Sequence, residues 1–98
     1  PALAKGGFYH AGQVCVSVQR VFVHHGIARK LAMQLSETAQ KLKVGNPLDP
    51  TTEVGPLILP KEADRIHNWI QDAIEEGAEL LCGGNKIGKT CYAPTVLW

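Results

Sequence analysis

Cysteine is scarce in this chain: Cys15, Cys82 and Cys91 are an odd number at irregular spacing, which fits free thiols in a reducing compartment better than a disulfide scaffold. No CxxC or HxxxH pair occurs, and on an extended chain the adjacent His24 and His25 would point to opposite faces, so sequence assembles no metal site. Charge of either sign is also lacking in excess. Ten Lys and Arg against nine Asp and Glu leave a formal charge of +1 with no basic or acidic block, which removes the electrostatic case for nucleic acid or an anionic membrane surface. No apolar run approaches the ~18 residues of a membrane span, and a signal-peptide pattern is missing from the N-terminus. A soluble, cytoplasmic protein with no membrane partner is the expectation.

What is present suits a small globular unit: 98 residues, 45% hydrophobic, with ten Gly and six Pro. Pro1 stands in place of an initiator Met and the chain stops at Trp98 within an apolar stretch, so the expectation is an excised segment of a longer protein. Residues Ala2 to about Gly12 have the composition of a short helix. Val14, Val16, Val18, Val21, Phe22 and Val23 suit a strand packed in a sheet. From about Ile27 to Lys43, the residues Ile27, Leu31, Leu35, Ala39 and Leu42 recur at helical spacing. Breakers from Gly45 to Pro60 predict a long ordered loop. Pro60 then opens a second amphipathic helix carrying Ala63, Ile66, Ile70, Ala73 and Ile74, closed by Gly77. Strand candidates at Glu79–Cys82 and Cys91–Leu97, joined by a turn over Gly83–Thr90, complete an α/β alternation with two amphipathic helices.

Several features invite chemistry. Gly83, Gly88, Lys89 and Thr90 match a phosphate-loop string, which defines an alternative as a nucleotide-binding module. The chemistry of that loop requires a following helix to aim N–H groups at phosphates, whereas Tyr92, Pro94, Thr95 and Val96 favour a strand, so a polar hairpin turn is expected. His67 has the setting of a partly exposed structural histidine, and Trp69 and Ile70 that of packing residues. Cys15 could sit on an exposed turn as a nucleophile, with its own backbone N–H turned toward an oxyanion. A thiol near the ordinary pKa of ~8.5 is sparsely ionised and needs such help. Flanked by Val14 and Val16, it could equally be a core thiol of a non-catalytic domain. Residue types leave both open.

The run Phe8-Tyr9-His10-Ala11-Gly12-Gln13-Val14-Cys15, with Arg20 five positions beyond the Cys, resembles the active-site segment of the NAD(P)-dependent aldehyde dehydrogenase superfamily, where an aromatic residue precedes Asn-x-Gly-Gln-x-Cys. Val44–Pro50 with Glu53–Ile58, then Glu76–Gly84, then Ala93–Leu97 are similar to later segments of that family in the same order. The resemblance implies that residues 1–98 are part of a nucleophile-bearing catalytic domain with a Rossmann-like open sheet, and that the cofactor-binding domain lies elsewhere. It implies Cys15 as the nucleophile, forming a thiohemiacetal and then a thioester from an aldehyde, with NAD or NADP taking the hydride. An oxyanion-binding Asn and a general-base Glu would lie outside this chain, so the segment alone is expected to be inactive. Glu62 and Arg65 fall where the family approaches the nicotinamide ribose, and Val14 and Val16 where it lines the substrate tunnel. His10 replaces the usual Asn. The expected partners are a small aldehyde and further copies of the parent chain, as a homodimer or homotetramer.

Overall fold

Residues 2–98 are described by a computed structural model. Helix α1 spans Ala2–Phe8 and runs into a tight turn over Tyr9–Gly12; α2 spans His25–Gln40 and α3 Pro60–Glu75. Four short strands follow: β1 Leu80–Cys82, β2 Lys86–Ile87, β3 Cys91–Tyr92 and β4 Val96–Leu97. Both amphipathic helices lie where the apolar spacing predicts them, and their ends have local causes. Extended Leu59 precedes Pro60, whose fixed φ starts α3 without wasting a donor. At the other end Gly77 adopts φ +110°, the Gly77 N–H reaches Ile74 O at 3.1 Å and the Ala78 N–H reaches Ala73 O at 2.9 Å. These two bonds satisfy carbonyls that the helix would otherwise leave unpaired. For α2 the start is a histidine: His24 Nδ1 accepts the Gly26 N–H at 3.1 Å, taking the role usually given to a short oxygen-bearing side chain.

The core lies between the inner faces of these helices and the strands. Ala4, Ala39, Val54, Ala63, Ile70, Cys82 and Tyr92 are buried. Small residues among them let backbones approach closely. Ile27, expected on the apolar face of α2, is exposed at its first turn, while Ser36 is buried and donates to Met33 O at 2.9 Å.

The α/β class holds, and the strands of the described residues pair as two separate two-stranded antiparallel sheets, β1 with β4 and β2 with β3, where a single open sheet is expected. The expected strand over Cys91–Leu97 is two strands interrupted at Ala93–Thr95. Pro94 has no N–H for a ladder, and Thr95 Oγ1 donates to Ala93 O at 2.8 Å while accepting from Gly84 N at 3.0 Å. Gly83, at φ +76°, lies so close to this crossing that a Cβ there would collide with the Pro94 carbonyl.

The strand expected over Val14–Val23 does not form. Among the described residues its backbone makes a single long-range bond, Val18 N–H to Gly6 O at 3.1 Å; Val16 is 84% and Phe22 91% exposed. β-Branched composition favours a pleated conformation only where a neighbouring strand completes the ladder, and these residues have none here.

The loop between α2 and α3 is ordered, as its Gly and Pro content predicts, by a parallel bridge between Val44 and Val54 and by short polar side chains. Asn46 Oδ1 accepts the Leu48 N–H and Asp49 Oδ1 the Thr51 N–H, each at 2.9 Å. Lys43 pairs with Asp49 at 3.0 Å and with Thr51. The Thr51 backbone N–H, then its hydroxyl, then Lys43 hold the Asp49 carboxyl below its ordinary value.

Candidate active site

The thiol-bearing turn starts from an unusual backbone. His10 (φ 52°, ψ 35°), Ala11 (φ 55°, ψ 32°) and Gly12 (φ +77°) occupy the left-handed region in succession. Asn, Asp and His are enriched there among residues other than Gly. That preference gives a physical reason why a histidine can stand where the resembled family has asparagine: both tolerate positive φ. Gly12 needs its glycine for conformation rather than space, since a Cβ would meet Gly7 O only at 3.5 Å.

This run reverses the chain and delivers Cys15 to an exposed turn. Within the described residues Cys15 is exposed, whereas Cys82 is buried and directed at Pro94 O. Burial pushes the Cys82 thiol up from its ordinary range. Among the described residues no hydrogen bond occupies the Cys15 backbone N–H, so a donor is available beside the sulfur for a developing oxyanion. Beyond it, Ser17 Oγ donates to Gly7 O at 3.3 Å, and with the Val18 bond this fastens the exit of the turn to the end of α1. Val14 is half-buried next to the thiol, and Val16 projects into solvent.

Gln13 links this turn to distant chain. Its Oε1 accepts the Ile58 N–H at 2.8 Å, and its Nε2 donates to Pro56 O at 3.3 Å and to His10 O at 3.1 Å. Sequence inspection passed over Gln13 except as part of a motif. Its place between the left-handed Gly12 and Cys15 is the signal that the sequence offers.

Glu62 and Arg65 face one another on the first turns of α3, with Arg65 Nε donating to Glu62 Oε2 at 2.7 Å. The guanidinium also lies 4.5 Å over the Trp69 ring. Trp69 is 61% exposed and packs against Arg65, while Ile70 packs in the core. His67 is structural as expected: its Nδ1 shares a hydrogen bond of 2.8 Å with the Tyr92 hydroxyl, half-buried behind α3. Burial raises the Tyr92 phenol above its ordinary value.

The phosphate-loop alternative fails on architecture. Residues 83–90 form the approach to and turn of the β2–β3 hairpin, and β3 rather than a helix follows Thr90. Lys86 is drawn to Asp64 at 2.6 Å. With no helix N-terminus behind the turn, Gly83, Gly88, Lys89 and Thr90 cannot form a phosphate cradle. Among the described residues no group of three or more His, Cys, Asp or Glu could hold a metal ion, and no helix is long and apolar enough to cross a membrane.

A mixed helix and strand unit that presents an exposed cysteine on a turn after Gly12-Gln13, and that carries a carboxylate–guanidinium pair on α3, defines a candidate thiol-enzyme catalytic segment. Residues 1–98 match the model of the aldehyde dehydrogenase family over their whole length, and the chain belongs to that family. It is 45% identical over 95 residues to the 3-sulfolactaldehyde dehydrogenase of Priestia aryabhattai, covering 97% of this chain and 20% of that relative. Identity to the lactaldehyde dehydrogenase of Methanocaldococcus jannaschii is 45% over 96 residues, 98% of this chain and 20% of the relative. Among solved structures, the glyceraldehyde-3-phosphate dehydrogenase GapN of M. jannaschii, complexed with NADP, superposes with a TM-score of 0.94 at 45% identity, covering 98% of this chain and 21% of that one. An aldehyde dehydrogenase from Physcomitrella patens in complex with the reaction product succinate gives 0.91 at 38% identity, covering 97% and 20%. The chain thus spans about a fifth of the length of the relatives it matches.

Proposed function

We propose that these residues are the nucleophile-bearing part of the catalytic domain of an NAD(P)-dependent aldehyde dehydrogenase, with Cys15 as the nucleophile and the cofactor-binding domain elsewhere in the protein. The observation that carries this is the exposed Cys15 on a turn set by His10, Ala11 and Gly12. The Cys15 thiolate adds to the aldehyde carbon, forming the C–S bond of a thiohemiacetal whose oxyanion is met by the Cys15 backbone N–H. Loss of hydride from that carbon leaves a thioester on Cys15, and attack by water releases the carboxylic acid and returns the thiol. A nicotinamide, when bound, supplies the hydride acceptor for this oxidation.

Glu62 and Arg65 suit a ribose: the carboxylate accepts from hydroxyl groups, the guanidinium donates, and their mutual bond and the Trp69 stack hold them in one orientation. Half-buried Val14 and exposed Val16 supply apolar wall beside the thiol. Relatives named for lactaldehyde and 3-sulfolactaldehyde support a small aldehyde of that kind as the substrate, and the NADP complex of GapN supports NAD or NADP as cofactor. The free cysteines fit a reducing compartment, the cytoplasm. The parent enzyme works as a homodimer or homotetramer in this proposal.

Turnover of the full-length enzyme and its Cys15→Ala variant tests the assignment. Reduced cofactor formed from lactaldehyde should fall by a factor of about 10³ or more in the variant. Retention of full turnover would make Cys15 a bystander.

A further inference from the structure

We infer that Gln13 is a positioning residue for Cys15, locking the nucleophile's turn onto the segment that enters α3. This rests on the aldehyde dehydrogenase reading of Cys15. The carboxamide uses both of its ends: Oε1 takes the Ile58 N–H at 2.8 Å while Nε2 gives to Pro56 O at 3.3 Å and to His10 O at 3.1 Å. Two of these bonds cross 45 and 43 residues of sequence. Pro56 O and Ile58 N–H lie on one edge of an extended stretch, and Gln13 reads that edge as a strand backbone would, one acceptor and one donor at two-residue spacing. The other edge is held separately, the Leu57 N–H donating to Thr90 O at 2.7 Å. Segment 56–58 is therefore pinned between the thiol turn and the β2–β3 hairpin, immediately before Leu59 caps α3 and Glu62 and Arg65 begin it.

Among the described residues no ladder bond duplicates this link, and Ile58 is 79% exposed. The left-handed backbone of residues 10–12 is braced from the same side chain through His10 O, which also receives the Gln13 N–H at 3.0 Å. Other side chains reproduce the clamp poorly. Asn is one methylene too short, Ala has no polar atoms, and Glu keeps the acceptor for Ile58 N–H but sets a charge against the Pro56 carbonyl. Because an error of about 1 Å in the position of a reacting atom can cost about a hundredfold in rate, loosening the clamp should slow attack by Cys15 more than it weakens cofactor binding.

The test uses the full-length enzyme with lactaldehyde and NADP, as wild type, Gln13→Ala, Gln13→Glu and Cys15→Ser. Rapid-mixing formation of reduced cofactor reports acylation, and fluorescence titration reports cofactor affinity. Gln13→Ala should slow acylation about 10- to 100-fold with cofactor affinity changed less than about twofold, and Gln13→Glu should recover part of the loss. Where Gln13→Ala does not fold, Gln13→Glu carries the test by the same split between acylation and affinity. Acylation within about twofold of wild type in both Gln13 variants, with Cys15→Ser inactive, overturns the positioning role alone. A loss shared equally between acylation and affinity, with no recovery in Gln13→Glu, also overturns it. Full turnover by Cys15→Ser overturns instead the functional reading on which it rests.

Discussion

Val14–Val23 carries five valines in ten residues, Glu79–Leu97 breaks its apolar residues with Gly, Lys and Pro, and it is the second that pairs into strands. The later segment pairs: Leu80 faces Leu97 and Cys82 faces Val96, while the Glu79 N–H and Trp98 N–H exchange bonds with each other's carbonyls at 2.9 and 2.8 Å. The earlier one forms no strand and is largely exposed, held by Ser17 and Val18 through individual bonds, with Gln13 fastening the turn just before it. Ladder pairing makes one region a self-contained scaffold. Within residues 2–98 a few polar contacts fasten the other point to point, and the candidate nucleophile lies there. Functional side chains placed by few contacts on a rigid support are a common arrangement.

If this division is correct, scaffold variants should lose stability and turn variants should lose activity. The largest effect should come from Gln13→Ala and Cys15→Ala, both in activity, as set out above. Next is Gly83→Ala, which introduces a Cβ against the Pro94 carbonyl at φ +76° and should cost about 2–4 kcal/mol, read as a lower urea midpoint for the full-length protein with turnover per folded molecule kept. Tyr92→Phe removes the bond to His67 and should cost about 1 kcal/mol; the same denaturation curve measures it, and loss of activity without loss of stability would break the division.

A smaller effect concerns the loop from 43 to 54. The Asp49 carboxyl titrates below its ordinary 3.8 because Thr51 and Lys43 favour its charged form. Its contribution is therefore fully present above the unfolded value and is lost as pH falls through the lower folded one. Amide exchange at Thr51 should accelerate as pH is lowered through that range, after correction for intrinsic exchange, and Asp49→Asn should remove the dependence.

Sequence showed the periodic elements well. The apolar stripe from Ala63 to Ile74, with Pro60 and Gly77 at its ends, defines α3 because helix formation and capping are local. Val16 and Phe22 suit a strand by composition but have no partner among the described residues, since a ladder needs a second segment that is not read from the first. Pro94 was visible, but its consequence, a break between β3 and β4, depended on Thr95 and Gly84 meeting across a turn. At the site, Cys15, Glu62 and Arg65 came from motif resemblance, and composition alone left the thiol undecided. The bonds of Gln13 are not legible in sequence because its partners, Pro56 and Ile58, lie more than forty residues away.

The most direct measurement is mass spectrometry of the full-length enzyme, acid-quenched during turnover of lactaldehyde with NADP and digested. An acyl group, labile to hydroxylamine, is expected on the peptide containing Cys15 and none on those containing Cys82 or Cys91. Acylation of either other cysteine, or turnover with Cys15 never modified, would contradict the assignment of Cys15 as the nucleophile.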